Sequence, residues 1–236
     1  MTVRLGSQII DAVLLDAGGV IVDPNWARVA ELLGERGIAV DPARLVAAEP
    51  IAKHRLDVAH HIGQTSDAAR RASYLASVMA AGGLEGDPAA IADASAQMER
   101  EHLERGIWEV VAPGTSEALA QLRGAGLRVA LASNAETLFR TKLAQLGLTD
   151  AFDHLGISAE IGVEKPDGRF FRSILDAIGV PAERAVHVGD LYEVDVVGAR
   201  GAGLATVLVD PAGLYGDRDV PRIHSLAELP ALLGIG

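Results

Sequence analysis

Five short apolar runs, set apart by stretches of helix length, constrain this chain more than any other feature. They are Ala12–Asp16 (AVLLD), Leu127–Ser133 (LRVALAS), Ala185–Asp190 (AVHVGD), Leu204–Asp210 (LATVLVD) and, more weakly, Asp153–Ser158 (DHLGIS). Each is apolar at consecutive positions instead of alternating with polar residues. That is the pattern of strands buried on both faces, as in a parallel sheet. Helical periodicity fills the gaps, over Gly114–Ala125, Glu136–Leu146, Asp167–Ile178 and Val194–Gly201. Gly126, Gly147 and Gly179 supply the stops. Strand and helix in alternation imply right-handed crossovers, hence an α/β fold with a doubly wound, Rossmann-like parallel sheet. Beyond Asp210 the chain reads as loop, then as a short helix near Leu226–Leu233.

Between the first run and the second the alternation stops. Residues 24–105 show no strand pattern. Ala, Leu, Arg and Glu recur there at helical spacing, punctuated by Gly34, Gly37, Asp41-Pro42, Gly63, Gly82-Gly83 and Asp87-Pro88. Residues 1–23 and 106–236 are therefore expected to form the α/β core, and residues 24–105 a helical domain long enough to cap an active site. Trp26 and Trp108, near its two ends, read as packing residues.

Composition removes several functions. With 21 Lys and Arg against 32 Asp and Glu, the formal charge is −11. Such a chain has no electrostatic reason to bind nucleic acid or an anionic membrane. The 4% aromatic content argues against a base-stacking surface. There is no cysteine, which excludes disulfides, thiol catalysis and cysteine-ligated zinc. The apolar stretch Ala12–Val22 carries Asp16 in its middle and is too short to span a bilayer, so a cytoplasmic location is the default expectation. No motif bears on the oligomeric state.

Four polar signals stand beside the runs or just before a helix. Asp16 follows AVLL, Ser133-Asn134 follows RVALA, Asp190 follows AVHVG, and Lys165 lies in GVEKPDGRFF. Open parallel sheets bind ligands outside the carboxyl ends of their strands, so the topology brings these groups towards one crevice. A carboxylate followed by Gly18-Gly19 can act as a nucleophile with room for a ligand against the backbone. A hydroxyl and a lysine can hold phosphate oxygens, and a second carboxylate can share a magnesium ion with the first. The expected partner is a small, phosphorylated molecule.

The segments LLDAGGVIVD, VALASNAE, GVEKPDGRFF and HVGDLYEVDVVGARGAGL stand in the order of the four motifs of the haloacid dehalogenase-like hydrolase superfamily. The chain resembles that family over nearly all of the part outside the insert. The position of the insert resembles the subgroup with an α-helical cap between the first and second motifs. The resemblance implies Asp16 as a nucleophile forming an aspartyl intermediate, and Ser133, with Asn134 beside it, as binding the transferring group. It implies Lys165 as stabilising Asp16 and the phosphoryl charge. Asp16, the Gly18 backbone carbonyl and Asp190 would hold Mg2+, with Asp195 either joining them or supporting them from behind.

One position departs from the pattern. Phosphatases of this family usually carry a second aspartate where Gly18 stands, as the group that protonates the leaving oxygen and later activates water. Such a group is worth about 10²–10⁴ in rate. Two rival readings follow. One is a 2-haloacid dehalogenase-type hydrolase, whose halide leaves without a proton. The other is a catalytically weak protein that binds a phosphorylated ligand on the same scaffold. Asp190 favours the metal-dependent phosphatase, because dehalogenases of the family generally have a non-acidic residue there.

Plainer readings exist for several residues. Asp16, Ser133 and Asp190 could each cap a helix or turn, and Lys165 could be a solvated loop lysine. His187 reads as a packed core histidine. In the insert, His54, Asp57 and His61 recur on one helical face that reads as solvated. Lys53, His54, Arg55, His60, His61 and Asp23 are the candidates for substrate contact or for the missing proton.

Overall fold

The apolar runs build one sheet. In the computed structural model, which describes residues 2–58, 67–84 and 88–236, the strands are β1 (Ala12–Leu15), β2 (Arg128–Ser133), β3 (His154–Ile157), β4 (Ala185–Gly189), β5 (Ala205–Val209) and β6 (Arg222–Ile223). They lie in the order β6-β5-β4-β1-β2-β3. Every neighbouring pair is parallel. Strand order runs one way from β1 and the other way from β4, so the topological switch falls between these two strands. Their register is Leu14 opposite His187 and Leu15 opposite Val188. All four residues of β1 are buried, as a strand covered on both faces requires.

Small residues on one face of the sheet make room for large ones on a helix. Ala12, Leu14, Ala130, Ala132 and Ala185 pack against Phe170, Phe171, Ile174 and Leu175 of the helix Gly168–Ile178. Asp167 starts that helix by accepting the Arg169 N–H at 2.8 Å, and Gly179 ends it at φ 68°.

Two local features differ from the sequence expectation. Within the tail read as loop, Arg222–Ile223 adds the edge strand β6, pairing with Leu208 and Val209. Two residues are too few to carry a period. The stretch read as a helix over Val194–Gly201 is a π-helical turn, Tyr192–Val197, followed by a short α-helix, Gly198–Gly201. A π turn often marks a functional site, because it redirects one side chain.

The chain divides into two compact units, Met1–Asp23 with Val110–Gly236, and Pro24–Glu109. The second is helical: Trp26–Gly34, Pro42–Val58, Asp67–Ala81 and Pro88–Arg105. Its own core includes Trp26, Leu33, Leu45, Val78, Met79 and Met98. Glu49 is buried inside that core. It accepts hydrogen bonds from the Trp26 indole at 3.0 Å and the Tyr74 hydroxyl at 2.7 Å, and pairs with Lys53 at 2.9 Å.

Candidate active site

Asp16 and Asp190 leave the sheet from the two strands that flank the switch point. The Asp16 N–H bonds to the Val188 carbonyl at 2.9 Å, which fixes the residue to the end of β4. One oxygen from each of Asp16, Asp190 and Asp195 lies within 4.8 Å of the other two. Residues far apart in the sequence thus meet where an open parallel sheet binds ligands. An all-oxygen, carboxylate-rich donor set suits a hard divalent cation.

Lys165 is the counter-charge. Its side chain keeps only 2% of its surface, and its ammonium lies 2.9 Å from Asp16 Oδ1 and 2.7 Å from Asp195 Oδ1. Asp16 keeps 13%, so the carboxylate and not the lysine faces the outside. Asn134 positions the lysine main chain. Its Oδ1 accepts the Lys165 N–H at 2.8 Å, and its Nδ2 donates to the Lys165 carbonyl at 2.9 Å. Both ends of the amide that was expected beside the transferring group are therefore engaged by Lys165. After Lys165 comes a cis peptide to Pro166. Gly198 packs on that proline, where a Cβ would approach Pro166 Cα to 2.8 Å. Ser133 ends β2 and is buried.

Asp195 is a junction. Its Oδ1 accepts from Lys165 and lies 2.9 Å from His187 Nε2, while its Oδ2 accepts the main-chain N–H groups of Asp190 at 3.2 Å and Leu191 at 3.0 Å. The π turn brings this carboxylate back over the end of β4. A Cβ on Gly189 would collide with Asp195, so β4 has to end in glycine. His187 is packed in the core, as expected, with its ring edge-on to Phe171 at 5.0 Å. It is also polar in its contacts, with Nδ1 3.1 Å from the Leu14 carbonyl oxygen. Sequence reading missed that role. The signal was present in the apolar frame, since a histidine inside a buried strand needs a partner at each nitrogen.

Burial and charge act against one another here. Burial, with Asp195 nearby, pushes the Asp16 carboxyl above its ordinary value, while Lys165 pulls it down. Burial disfavours the Lys165 ammonium, but Asp16 and Asp195 outweigh that and hold its pKa well above the ordinary lysine range. Burial also opposes the charge on Asp195. Lys165 and the hydrogen bond from His187 overcome it, so this carboxyl titrates below the usual range. The cluster thus sets three carboxyl groups against one ammonium group, an acid-rich donor set of the kind that captures a cation.

Of the insert residues singled out, Lys53 pairs with Glu49, Asp57 is buried and Arg55 is exposed. His54 lies in the helix Pro42–Val58, while His60 and His61 fall outside the described residues.

A family model for haloacid dehalogenase-like hydrolases matches residues 10–203. The chain belongs to this family. Glyceraldehyde 3-phosphate phosphatase of Methanothermobacter thermautotrophicus is 36% identical over 108 residues, 45% of this chain and 48% of the relative. Phosphoserine phosphatase of Thermus thermophilus is 46% identical over 99 residues, 42% of this chain and 40% of the relative. Ribulose-1,5-bisphosphate 5-phosphatase of Halopiger xanaduensis is 38% identical over 130 residues, 54% of this chain and 51% of the relative. The chain spans about half the length of the curated relatives it matches. Among solved structures, the magnesium-bound putative HAD-hydrolase YfnB of Bacillus subtilis superposes with TM-score 0.66 at 21% identity, covering 96% of this chain and 99% of that one. The L-2-haloacid dehalogenase of Xanthobacter autotrophicus superposes with TM-score 0.60 at 21% identity, covering 95% and 98%. Both likenesses establish the fold of this hydrolase family, with its six-stranded parallel sheet. Among the described residues, no helix is long and apolar enough to cross a membrane.

Proposed function

We propose that the chain is a magnesium-dependent phosphohydrolase for a small phosphorylated metabolite, working through a covalent intermediate on Asp16. One observation carries the reading: Asp16, Asp190 and Asp195 converge within 4.8 Å beside a single buried lysine. A dehalogenase attacking carbon has no use for that excess of carboxylate. The phosphatase relatives support the same reading.

Asp16 attacks phosphorus through a carboxylate oxygen, and the bond from phosphorus to the ester oxygen breaks, its electron pair leaving with that oxygen. Lys165 favours the ionised form of Asp16 against its burial and balances charge on the phosphoryl group. Ser133 donates its hydroxyl to a phosphoryl oxygen, while Asn134 serves by holding Lys165. Asp16, Asp190 and the Gly18 carbonyl would hold a magnesium ion, which would supply positive charge to screen the nucleophile from its anionic target. Water then attacks phosphorus, the bond to Asp16 breaks, and inorganic phosphate leaves with the free carboxylate restored.

Gly18 offers no side chain to protonate the departing oxygen, so aryl and acyl phosphates, which leave as weak bases, are the favoured substrates. The test is phosphate and halide release from a panel of aryl, acyl and alkyl phosphates and 2-haloacids, with and without magnesium, with Asp16→Asn as the blank. Magnesium-dependent phosphate release is expected. Halide release indifferent to a chelator would replace the proposal with the dehalogenase reading. Gly18→Asp should raise turnover of alkyl phosphates by about 10²-fold or more. A folded, magnesium-binding variant with no gain would contradict the leaving-group account.

A further inference from the structure

His187 lies one layer behind the reacting groups. Its ring joins two of the pieces that build the site. Nε2 meets Asp195 Oδ1 at 2.9 Å, and Nδ1 meets the carbonyl of Leu14 at 3.1 Å, two residues before Asp16 on β1. The contacts close a circuit from Asp16 through Lys165, Asp195 and His187 back to the strand that carries Asp16. Phe171, edge-on at 5.0 Å, fixes the ring plane.

The same contacts account for the capacity of Asp195. A carboxylate oxygen has about two lone pairs to offer. Oδ1 meets Lys165 and His187, and Oδ2 meets two main-chain N–H groups. Both oxygens are filled within the protein, which leaves Asp16 and Asp190 to face a cation. With His187 removed, one of the two contacts that orient Oδ1 is lost, and the lysine is the only restraint left on that oxygen.

We infer that His187 and Asp195 form a positioning pair that aims the Lys165 ammonium at Asp16, with Asp195 acting as an anchor and not as a metal ligand. His187 touches neither substrate nor cation and works through Asp195. Groups of this kind, set behind the reacting residues, typically change activity by about 10–100-fold when lost. The kinetic part of this inference rests on the proposed phosphohydrolase reading; the structural part does not.

Two substitutions separate the arms of the ring. Asparagine places its amide near the position of Nδ1 and keeps the Leu14 contact. Glutamine reaches to the position of Nε2 and keeps the Asp195 contact. The first measurement is the side-chain ammonium signal of Lys165 in ¹⁵N-labelled full-length protein, assigned by its absence in Lys165→Met. His187→Asn should shift or broaden that signal, and His187→Gln should restore it. The second is aryl phosphate turnover, where His187→Asn should lose about 10–100-fold in kcat with KM little changed, and His187→Gln should recover part of the loss. If the asparagine variant does not fold, His187→Phe, which fills the space against Phe171 without a donor, takes its place against His187→Gln. A lysine signal equal in the two variants would overturn the inference. So would a folded His187→Asn protein with lowered thermal stability but wild-type lysine signal and kcat, since that is a packing role alone. If the wild-type protein hydrolyses no phosphate ester, the functional proposal fails and the lysine signal still decides this one.

Discussion

Each of the two units buries a carboxylate against a lysine, and the two arrangements are unlike. In the helical unit, Glu49 meets one ammonium group, that of Lys53, and two neutral donors, Trp26 and Tyr74. Charge is matched one to one, and both carboxylate oxygens have a donor. In the α/β unit, Lys165 sits between Asp16 and Asp195 with Asp190 alongside. The first arrangement is complete within the protein. The second has a carboxylate surplus at a strand-end crevice and calls for something positive from outside. A buried ion pair says little about function by itself; the imbalance around it says more.

Four measurements would break or sharpen that contrast. The largest effect should come from the nucleophile: Asp16→Asn should lower phosphate ester turnover by about 10⁴-fold or more, measured under saturating magnesium. Lys165→Met comes next. It leaves two buried carboxylates uncompensated and should cost about 3–5 kcal/mol in denaturant unfolding without metal. Glu49→Gln, which keeps the shape and loses one charge, should cost less, about 1–3 kcal/mol. If the glutamate variant proved the more damaging of the two, the contrast would be reversed.

Magnesium should separate the units next. At a hundredfold excess over its dissociation constant, the ion should stabilise the protein by about 2.7 kcal/mol. That gain should vanish in Asp190→Asn and survive in Glu49→Gln, as read from the shift in melting temperature. Equal responses in the two variants would remove the claim that the surplus lies in the core.

Acid gives the smallest and most local effect. Lys53, Tyr74 and Trp26 overcome the burial of Glu49 and hold its carboxyl below the ordinary glutamate value. A depressed carboxyl contributes stability that is fully present above its unfolded pKa and is lost as pH falls through the folded one. Loss should therefore begin below about pH 4.5, the ordinary value. Both tryptophans of the chain, Trp26 and Trp108, belong to the helical unit, so their fluorescence reads this change directly. Glu49→Gln should flatten that acid limb. Lys165 has the opposite sign. Its raised pKa means that its contribution is fully present below 10.5, the ordinary lysine value, and is lost as pH rises through the folded one.

How far the sequence could be read depended on the kind of signal each part carried. The strands were legible because burial on both faces leaves runs such as AVLL and RVALA with no polar interruption. Asp16, Ser133 and Asp190 were legible for the same reason, since each ends a run. β6 was not, because Arg222–Ile223 is too short for a pattern. The four-donor junction at Asp195 depends on a π turn, whose i to i+5 spacing leaves no separate trace among helical residues. The contact of Asn134 with Lys165 was not legible for a related reason. Adjacency to Ser133 pointed towards the ligand, whereas the amide turns to the main chain of a loop 31 residues away.

That amide has a mechanical consequence. Bonded to Lys165 both as acceptor and as donor, Asn134 ties the turn after β2 to the lysine loop at two points. The hydroxyl at the end of β2 and the backbone that carries the ammonium are thereby braced against each other, so a substitution at Asn134 would loosen both.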